Sequence, residues 1–125
     1  MTLREKQSIF AKNICKLIIW TFDNGYEITL GEAYRTNDQQ LLYFYGYTLD
    51  SDENSLKLIK TGQKSKTMNS YHLSKCALDI NLFIDGKYVS DKDSFKPLAE
   101  YWKTLHPNNV SGYDWGWDFN HFQMS

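Results

Sequence analysis

Residues 77–89 read Ala-Leu-Asp-Ile-Asn-Leu-Phe-Ile-Asp-Gly-Lys-Tyr-Val and decide the fold. Apolar and polar side chains alternate here, so Leu78, Ile80 and Leu82 fall on one face of a strand and Asp79 falls on the other. The Asp-Gly pair at 85–86 is a two-residue hairpin signal, and the chain returns through residues 87–89. This stretch predicts an antiparallel hairpin that buries one face and presents Asp79 on the opposite face.

Two long helices are predicted, one on each side of this hairpin in the sequence. Thr2 and Glu5 fit a capping box at the start of a helix spanning about residues 3 to 23. Its buried side is predicted to hold Phe10, Ile14, Leu17, Ile18 and Phe22, which recur at spacings of three and four. A second helix is expected from about Ser94 to Leu105. Its buried side is predicted to hold Leu98, Tyr101, Trp102 and Leu105.

The remaining elements are shorter. We expect a strand over residues 26–30, a short helix over 38–45 capped by Asn37, and a last strand over 119–124. In that last strand Phe122 and Met124 face the core, while His121 and Gln123 face outward. Residues 47–69 are polar and predict a long loop. Because helices and strands mix without βαβ repetition, residues 1–125 are expected to form a single α+β domain, an antiparallel sheet flanked by helices.

Composition excludes several classes of partner. The net charge of -1 gives no electrostatic case for nucleic acid, and no apolar run approaches the ~20 residues of a membrane span. The first twelve residues lack the apolar stretch of a signal peptide, so we expect synthesis in the cytoplasm, with Cys15 and Cys76 reduced. The expected state is a monomer. Aromatic residues make up 16% of the chain, more than a small core holds, and some should line a groove.

Two histidines and one carboxylate, His72, Asp79 and His121, are the ligand types of a catalytic zinc site. Such a site takes three protein ligands and leaves a fourth position for water, whose pKa the metal lowers to about 7. Strand alternation turns Asp79 and His121 away from the apolar face. Asp118, three residues before His121, is placed to take the proton of that water. A lone aspartate or histidine is more often structural, and it is the set that predicts amide hydrolysis.

Three further residues are candidates for the same site. Arg35 could bind a peptide carboxylate or stabilise an oxyanion, and a surface salt bridge is the structural alternative. Ser70 could donate to substrate or orient a ligand. Trp115, with Trp117, could form a groove wall or pack in the core. The third histidine, His106, has no partner at a useful spacing and is expected to be a helix-end residue.

These residues belong to longer motifs that resemble the M15 zinc peptidases. Ser70-Tyr71-His72, followed by Ala77-Leu78-Asp79, resembles their Ser-x-His-(x)6-Asp motif. Residues 118–122, Asp-Phe-Asn-His-Phe, resemble the closing acid-x-x-His motif. Segments 31–36 with Gln39-Gln40, 81–88 and 101–107 are similar to the phage endolysin branch. The likeness covers roughly residues 3 to 123.

The resemblance implies the Hedgehog/DD-peptidase fold, a small α+β domain with zinc on an antiparallel sheet. It implies His72, Asp79 and His121 as Zn²⁺ ligands and Asp118 as general base. Arg35 would help bind or polarise the substrate, and Ser70 would assist near the metal. Members of the branch are L-alanyl-D-glutamate endopeptidases that cleave peptidoglycan stem peptides. The expected function is therefore that of an endolysin, a zinc metallopeptidase in bacterial cell-wall degradation; cousins are D-alanyl-D-alanine carboxypeptidases and dipeptidases.

The chain departs from the family pattern at a few positions. Lys75 stands where the family often has glycine, which could change groove charge or backbone shape. Cys76 lies inside the first motif, and we expect it not to be a metal ligand. The acid before His121 is Asp118 rather than the Glu of many cousins, so the base must sit nearer the water; the endolysin branch accepts this choice. The chain ends just past the second motif, so no wall-binding domain is expected.

Two other classes of function fit part of the pattern. Two histidines and a carboxylate also form the facial triad of Fe(II) oxygenases, although those sites usually carry His-x-Asp/Glu on a larger β-barrel. A non-catalytic zinc-containing binding module is the second alternative, since Hedgehog relatives use this fold for binding and signalling. Asp118 beside the ligands favours catalysis. A protein without a signal peptide would act on the wall after release, with a separate holin-type partner that permeabilises the membrane.

Overall fold

The computed structural model describes residues 1–52 and 54–125. Its helices are α1 (Leu3–Asp23), α2 (Asn37–Tyr45), α3 (Lys92–Leu105) and α4 (Gly112–Trp115). Its strands are β1 (Glu27–Leu30), β2 (Tyr47–Ser51), β3 (Leu56–Lys60), β4 (Ala77–Ile84), β5 (Lys87–Val89), β6 (Asn109–Ser111) and β7 (His121–Met124). The predicted α+β class is confirmed. No helix in the described part of the chain is long and apolar enough to cross a membrane.

The main sheet has the order β1-β4-β7-β6, with β5 also paired to β4, and every pairing is antiparallel. The long strand β4 lies at its centre, as the alternating sequence predicted. Leu78 pairs with Phe122 and Asp79 pairs with His121 across the β4–β7 ladder. One strand pair therefore sends an apolar pair to one face of the sheet and a polar pair to the other.

One face of this sheet packs against α1 and α3. The core cluster joins Leu78, Ile80 and Leu82 of β4 to Phe122 and Met124 of β7, and the helices contribute Phe10, Ile14, Leu17, Phe95, Leu98 and Trp102. The indole of Trp102 donates to the carbonyls of Val110 (3.0 Å) and Gln123 (3.1 Å), which ties α3 to β6 and β7. With that face covered by helices, the opposite face is left for a site.

Most predicted elements agree with the structure, and the corrections have local causes. The capping box of Thr2 and Glu5 is present. Phe22, predicted to be buried, is 49% exposed, because Thr21 takes the core-facing position and donates to the carbonyl of Leu17 at 2.7 Å. The short second helix is capped by Thr36 and not by Asn37.

The prediction of a structureless loop over residues 47–69 is wrong for residues 47–60, whereas residues 61–69 contain no helix or strand. Strands β2 and β3 form an exposed hairpin there, whose turn is tightened by the Asp52 carboxylate accepting from the backbone of Asn54 and Ser55. Glu53, within that stretch, lies outside the described residues. The sequence analysis also missed β6 and α4. His121 and Gln123 do lie opposite the core residues of β7, but they are buried rather than facing outward.

Lys75 has a left-handed backbone with φ of 60°. A side chain in this conformation costs roughly 1–2 kcal/mol, because its Cβ crowds the following carbonyl. The Lys75 ammonium lies 5.0 Å from the centre of the Tyr34 ring, a cation–π contact that offsets part of this cost. The backbone shape that glycine favours is therefore kept here with lysine.

This strain predicts a difference between two substitutions that both remove the cation–π contact. Lys75→Gly should have a free energy of unfolding about 0.5–1 kcal/mol higher than Lys75→Ala, since only alanine keeps the crowded Cβ. Urea denaturation of the two variants measures the difference. Equal stabilities would show that residue 75 is not strained.

Candidate metal centre

His72, Asp79 and His121 converge on the open face of the sheet. Asp79 lies on β4 directly opposite His121 on β7, and His72 lies in the loop that leads into β4. Asp79 Oδ1 is 3.3 Å from His72 Nε2 and 3.2 Å from His121 Nδ1. One ligand atom from each residue lies within 4.8 Å of the other two. The structure thus brings together the three residues that the sequence predicted as a ligand set.

In each histidine, the ring nitrogen that points away from Asp79, here called the outer nitrogen, contacts an oxygen acceptor. His72 Nδ1 lies 2.8 Å from the carbonyl of Ala33, and His121 Nε2 lies 2.8 Å from Oε1 of Gln123. The Gln123 amide nitrogen donates to Ser125 Oγ, which leaves its oxygen to accept from the ring. Protons on the outer nitrogens leave the inner lone pairs facing the Asp79 carboxylate. Such second contacts fix the tautomer of metal-binding histidines.

This arrangement fits a divalent metal ion. Two inner lone pairs and a carboxylate oxygen repel one another unless a proton or a metal cation lies among them. Ligands at about 2.0–2.1 Å from a tetrahedral zinc ion are about 3.3 Å apart, which matches the separations from Asp79 Oδ1. Cys76 is not part of the group: it is buried, and its thiol faces the carbonyl of Ser74. Two imidazoles and one carboxylate are a donor set that zinc accepts.

The electrostatics of the group show how strongly its members interact. Burial alone would raise the pKa of Asp79, but contacts with His121 and His72 outweigh it and lower that pKa to about 2. Burial would lower the pKa of His72, but hydrogen bonds to Asp79 and Ala33 outweigh it and raise that pKa above 6.5. In the absence of metal these contacts therefore favour a charged His72 imidazole beside an ionised Asp79 carboxylate.

Gly31 allows the neighbouring strand to approach Asp79. Both backbone groups of Asp79 bond to this segment: its carbonyl accepts from Gly31 (2.8 Å), and its amide donates to Glu32 (2.9 Å). A Cβ at position 31 would lie 2.9 Å from the Asp79 carbonyl oxygen and 3.0 Å from its Cβ. Any side chain there would displace the carboxylate that bridges the two histidines.

Asp118 lies beside the ligand group without belonging to it. Its Oδ2 is 3.8 Å from His121 Nδ1, and burial raises its pKa above the usual 3.8, partly opposed by His121. Its backbone is left-handed, with φ of 55°, and its carbonyl accepts from the His121 amide at 3.0 Å. Gly112 makes room for this turn, because a Cβ there would overlap the Asp118 carbonyl at 1.7 Å.

Arg35 is held by several partners beside the same site. Its guanidinium pairs with Glu32, donates from Nη1 to Gln40 Oε1 (2.8 Å), and lies 4.8 Å from the centre of the Tyr43 ring. Gln40 is fully buried and also donates to Ser65 Oγ (2.9 Å). Arg35 therefore forms the salt bridge considered as the structural alternative. It also borders the same depression as the ligand group, so the two predictions are compatible.

All seven sequence-predicted site residues line one groove of about 850 Å³ on the open face of the sheet: Arg35, Ser70, His72, Asp79, Trp115, Asp118 and His121. Ser70 Oγ accepts from the His72 amide at 3.2 Å, so it contacts the backbone of that residue and not its ring. The Trp115 ring lies 5.3 Å from the His121 ring. We refer to this depression as the groove.

The groove also contains residues to which the sequence analysis gave no role. Gln123, two residues after His121, shares its face of β7 by strand alternation, and that spacing could have marked it as a partner. Tyr43, Lys64 and Lys66 also line the groove. No local sequence pattern predicts that these three residues line the groove, because α2 and the segment after β3 reach the site only through the tertiary fold.

Comparison with models of known protein families gave no match, and no curated protein matches the chain significantly.

The ligand geometry predicts a graded loss of zinc affinity. His72→Ala removes a ligand and should weaken zinc binding by roughly 100-fold or more, whereas Gln123→Leu removes only the partner of His121 and should cost about 10–100-fold. His106→Ala, which changes the histidine outside the group, should bind zinc like the wild type. Competition titration with a chromophoric chelator measures all three. Unchanged affinity in His72→Ala would refute the ligand set.

The pKa shifts give the metal-free protein a pH window of stability. The lowered pKa of Asp79 contributes stability that is present above pH 3.8 and lost as the pH falls toward about 2. The raised pKa of His72 contributes stability that is present below pH 6.5 and lost as the pH rises through its folded value. In the presence of chelator and between these pH limits, the free energy of unfolding of the wild type should exceed that of Asp79→Asn by on the order of 2 kcal/mol. Urea denaturation near pH 3, 5 and 8 tests this; a difference independent of pH would contradict it.

Proposed function

We propose that this protein is a zinc-dependent peptidase of the M15 type, with the Hedgehog/DD-peptidase fold, that cleaves peptidoglycan stem peptides. The observation that supports this most directly is the convergence of His72, Asp79 and His121 with Asp118 beside them. Ligands and base come from the two sequence motifs that resemble the family, and they meet in one groove. The L-alanyl-D-glutamate bond is the proposed target, and the D-alanyl-D-alanine bond is the alternative.

Asp118 is the proposed general base. Zinc at the neighbouring ligands would supply a Lewis acid and a water of pKa about 7. The Asp118 carboxylate takes the proton of the attacking water and then passes it to the leaving amine. The distance of 3.8 Å between Asp118 Oδ2 and His121 Nδ1, a proposed ligand atom, supports this role. Burial raises its pKa, which makes it a better proton acceptor than an ordinary surface carboxylate.

Arg35 is the proposed substrate-binding cation. Its contacts with Glu32 and Gln40 use three of its five N–H groups, and the remaining donors can meet a carboxylate or a developing oxyanion. Because both partners are fixed on the protein, the guanidinium is oriented before substrate arrives. Ser70 contributes by holding the His72 backbone, and Trp115 by lining the groove next to His121.

A cell-wall substrate also defines where the protein acts. We infer that the protein is made in the cytoplasm and reaches the wall after release, together with a separate holin-type partner. A turbidity assay on purified peptidoglycan, with and without chelator, tests wall hydrolysis. Mass spectrometry of the products identifies the bond, since an L-Ala/D-Glu cut gives different fragments from loss of terminal D-Ala. Intact peptidoglycan after incubation with the zinc-loaded protein would refute the proposal.

Asp118→Asn should lower the rate of peptidoglycan hydrolysis by roughly 100- to 10,000-fold, the usual contribution of a general base, while zinc binding is retained. Asparagine tolerates the left-handed backbone at this position, so the fold should be kept.

Asp85→Asn is the matched control. It makes the same substitution at a residue with a similar backbone, with φ of 51°, in the turn between β4 and β5. Turbidity loss and zinc titration on both variants separate chemistry from folding. Full activity in Asp118→Asn would show that another group accepts the proton.

A further inference from the structure

Two exposed tryptophans form an aromatic wall at one end of the groove. Trp115 is 40% exposed and Trp117 is 64% exposed, and their ring centres lie 5.8 Å apart with planes inclined by 37°. Adjacent exposed indoles present a large apolar area that a protein surface seldom leaves uncovered without a binding role. We call Trp115 and Trp117 the tryptophan wall.

The tryptophan wall begins at a metal ligand and extends away from it. The centre of the Trp115 ring lies 5.3 Å from that of the His121 ring, with the planes inclined by 36°. The Trp117 ring contacts Trp115 in turn. The turn that holds both is fixed by its backbone, since the amide of Trp117 donates to the carbonyl of Gly112 at 3.2 Å. The wall is therefore built before any ligand arrives, which lowers the entropic cost of binding.

Sheet order gives the groove two chemically different ends. Arg35 follows β1, Asp79 lies on β4, His121 lies on β7, and α4 with Trp115 follows β6. The sheet thus runs from the cation, through the ligand group, to the tryptophan wall. Lys64 and Lys66 line the groove as well, and Lys64 shares the Tyr43 ring with Arg35, so it belongs to the cationic end. A matching substrate is anionic on one side of its scissile bond and has a broad apolar face on the other.

Resting on the proposed function, we propose that the tryptophan wall is a saccharide subsite that binds the N-acetylmuramyl ring carrying the stem peptide. The C–H face of a pyranose ring stacks on an indole, as other flat apolar faces do. Only the alanine and the lactyl unit separate this sugar from the L-alanyl-D-glutamate bond, a span of roughly 7 Å at residue-like rise. The aromatic contacts of 5.3 and 5.8 Å that lead outward from His121 are on this scale.

The part of the substrate on the other side of the scissile bond is anionic and matches the cationic end of the groove. A stem peptide cut after its first alanine places the carboxylate of D-glutamate beyond the bond, toward Arg35 and Lys64. The D-alanyl-D-alanine bond does not fit in this way, because four residues and the lactyl unit separate it from the sugar, roughly 17 Å when extended. A sugar bound at the tryptophan wall therefore selects the bond nearest the glycan.

The experiment compares two substrates that differ only in the sugar: a stem peptide with an acetylated N-terminus, and the same peptide carrying N-acetylmuramic acid. The zinc-loaded wild type should have a kcat/KM about 2- to 10-fold higher for the muramyl peptide, the size of one aromatic stacking contact. Trp117→Ala should reduce this preference to near unity, mainly through KM. Trp117→Tyr, which keeps an aromatic face, should retain much of it. Tyr88→Ala, an exposed aromatic on β5, is the control and should keep the full preference.

The outcomes distinguish the subsite from the proposed function. Cleavage of both substrates with equal kcat/KM, or a preference that survives Trp117→Ala, overturns the subsite and leaves the peptidase in place. If the wild type cleaves neither substrate, the proposed function fails. In that case titration with muramyl dipeptide still decides the subsite by NMR: a shift of the Trp117 indole N–H supports it, and an unmoved signal overturns it.

Discussion

The antiparallel pairing of β4 with β7 places Asp79 opposite His121, and the core and the site both depend on it. The backbone groups of Asp79 bond to residues 31 and 32 instead, so its pair with His121 is of the non-hydrogen-bonded kind, in which side chains approach most closely. The same ladder pairs Leu78 with Phe122 on the core face. A slip of one residue would exchange the faces and destroy the core and the ligand group together.

The site is held from both sides by close backbone contacts. Gly31 lets residues 31 and 32 bond to Asp79, and Gly112 lets the turn of Asp118 lie against α4. Neither position has space for a Cβ, so the carboxylate in the ligand group and the carboxylate beside it are fixed by packing of main chain on main chain. Groups placed in this way have little conformational freedom left to lose.

Much of this architecture follows from local patterns. Alternation in residues 77–83 predicted β4, and the parity of Phe122 predicted that His121 lies opposite the core. The exposed β2–β3 hairpin escaped prediction because it covers no core, so its sequence shows no buried face. Strand β6 has only three residues and is defined by its pairing with β7 and by the indole of Trp102. The partners of Arg35 depend on α2 reaching the groove, which no local spacing encodes.

A proton and a metal ion would compete for the same three side chains. A partly buried carboxylate between two imidazoles is stabilised by a positive charge among them, whether a proton or a metal ion. The contacts of Asp79 with both imidazoles hold the three side chains together without metal. A metal ion would have to displace the proton of this group, and this would become easier as the pH rises above the pKa of His72. Metal affinity at this centre would therefore rise with pH.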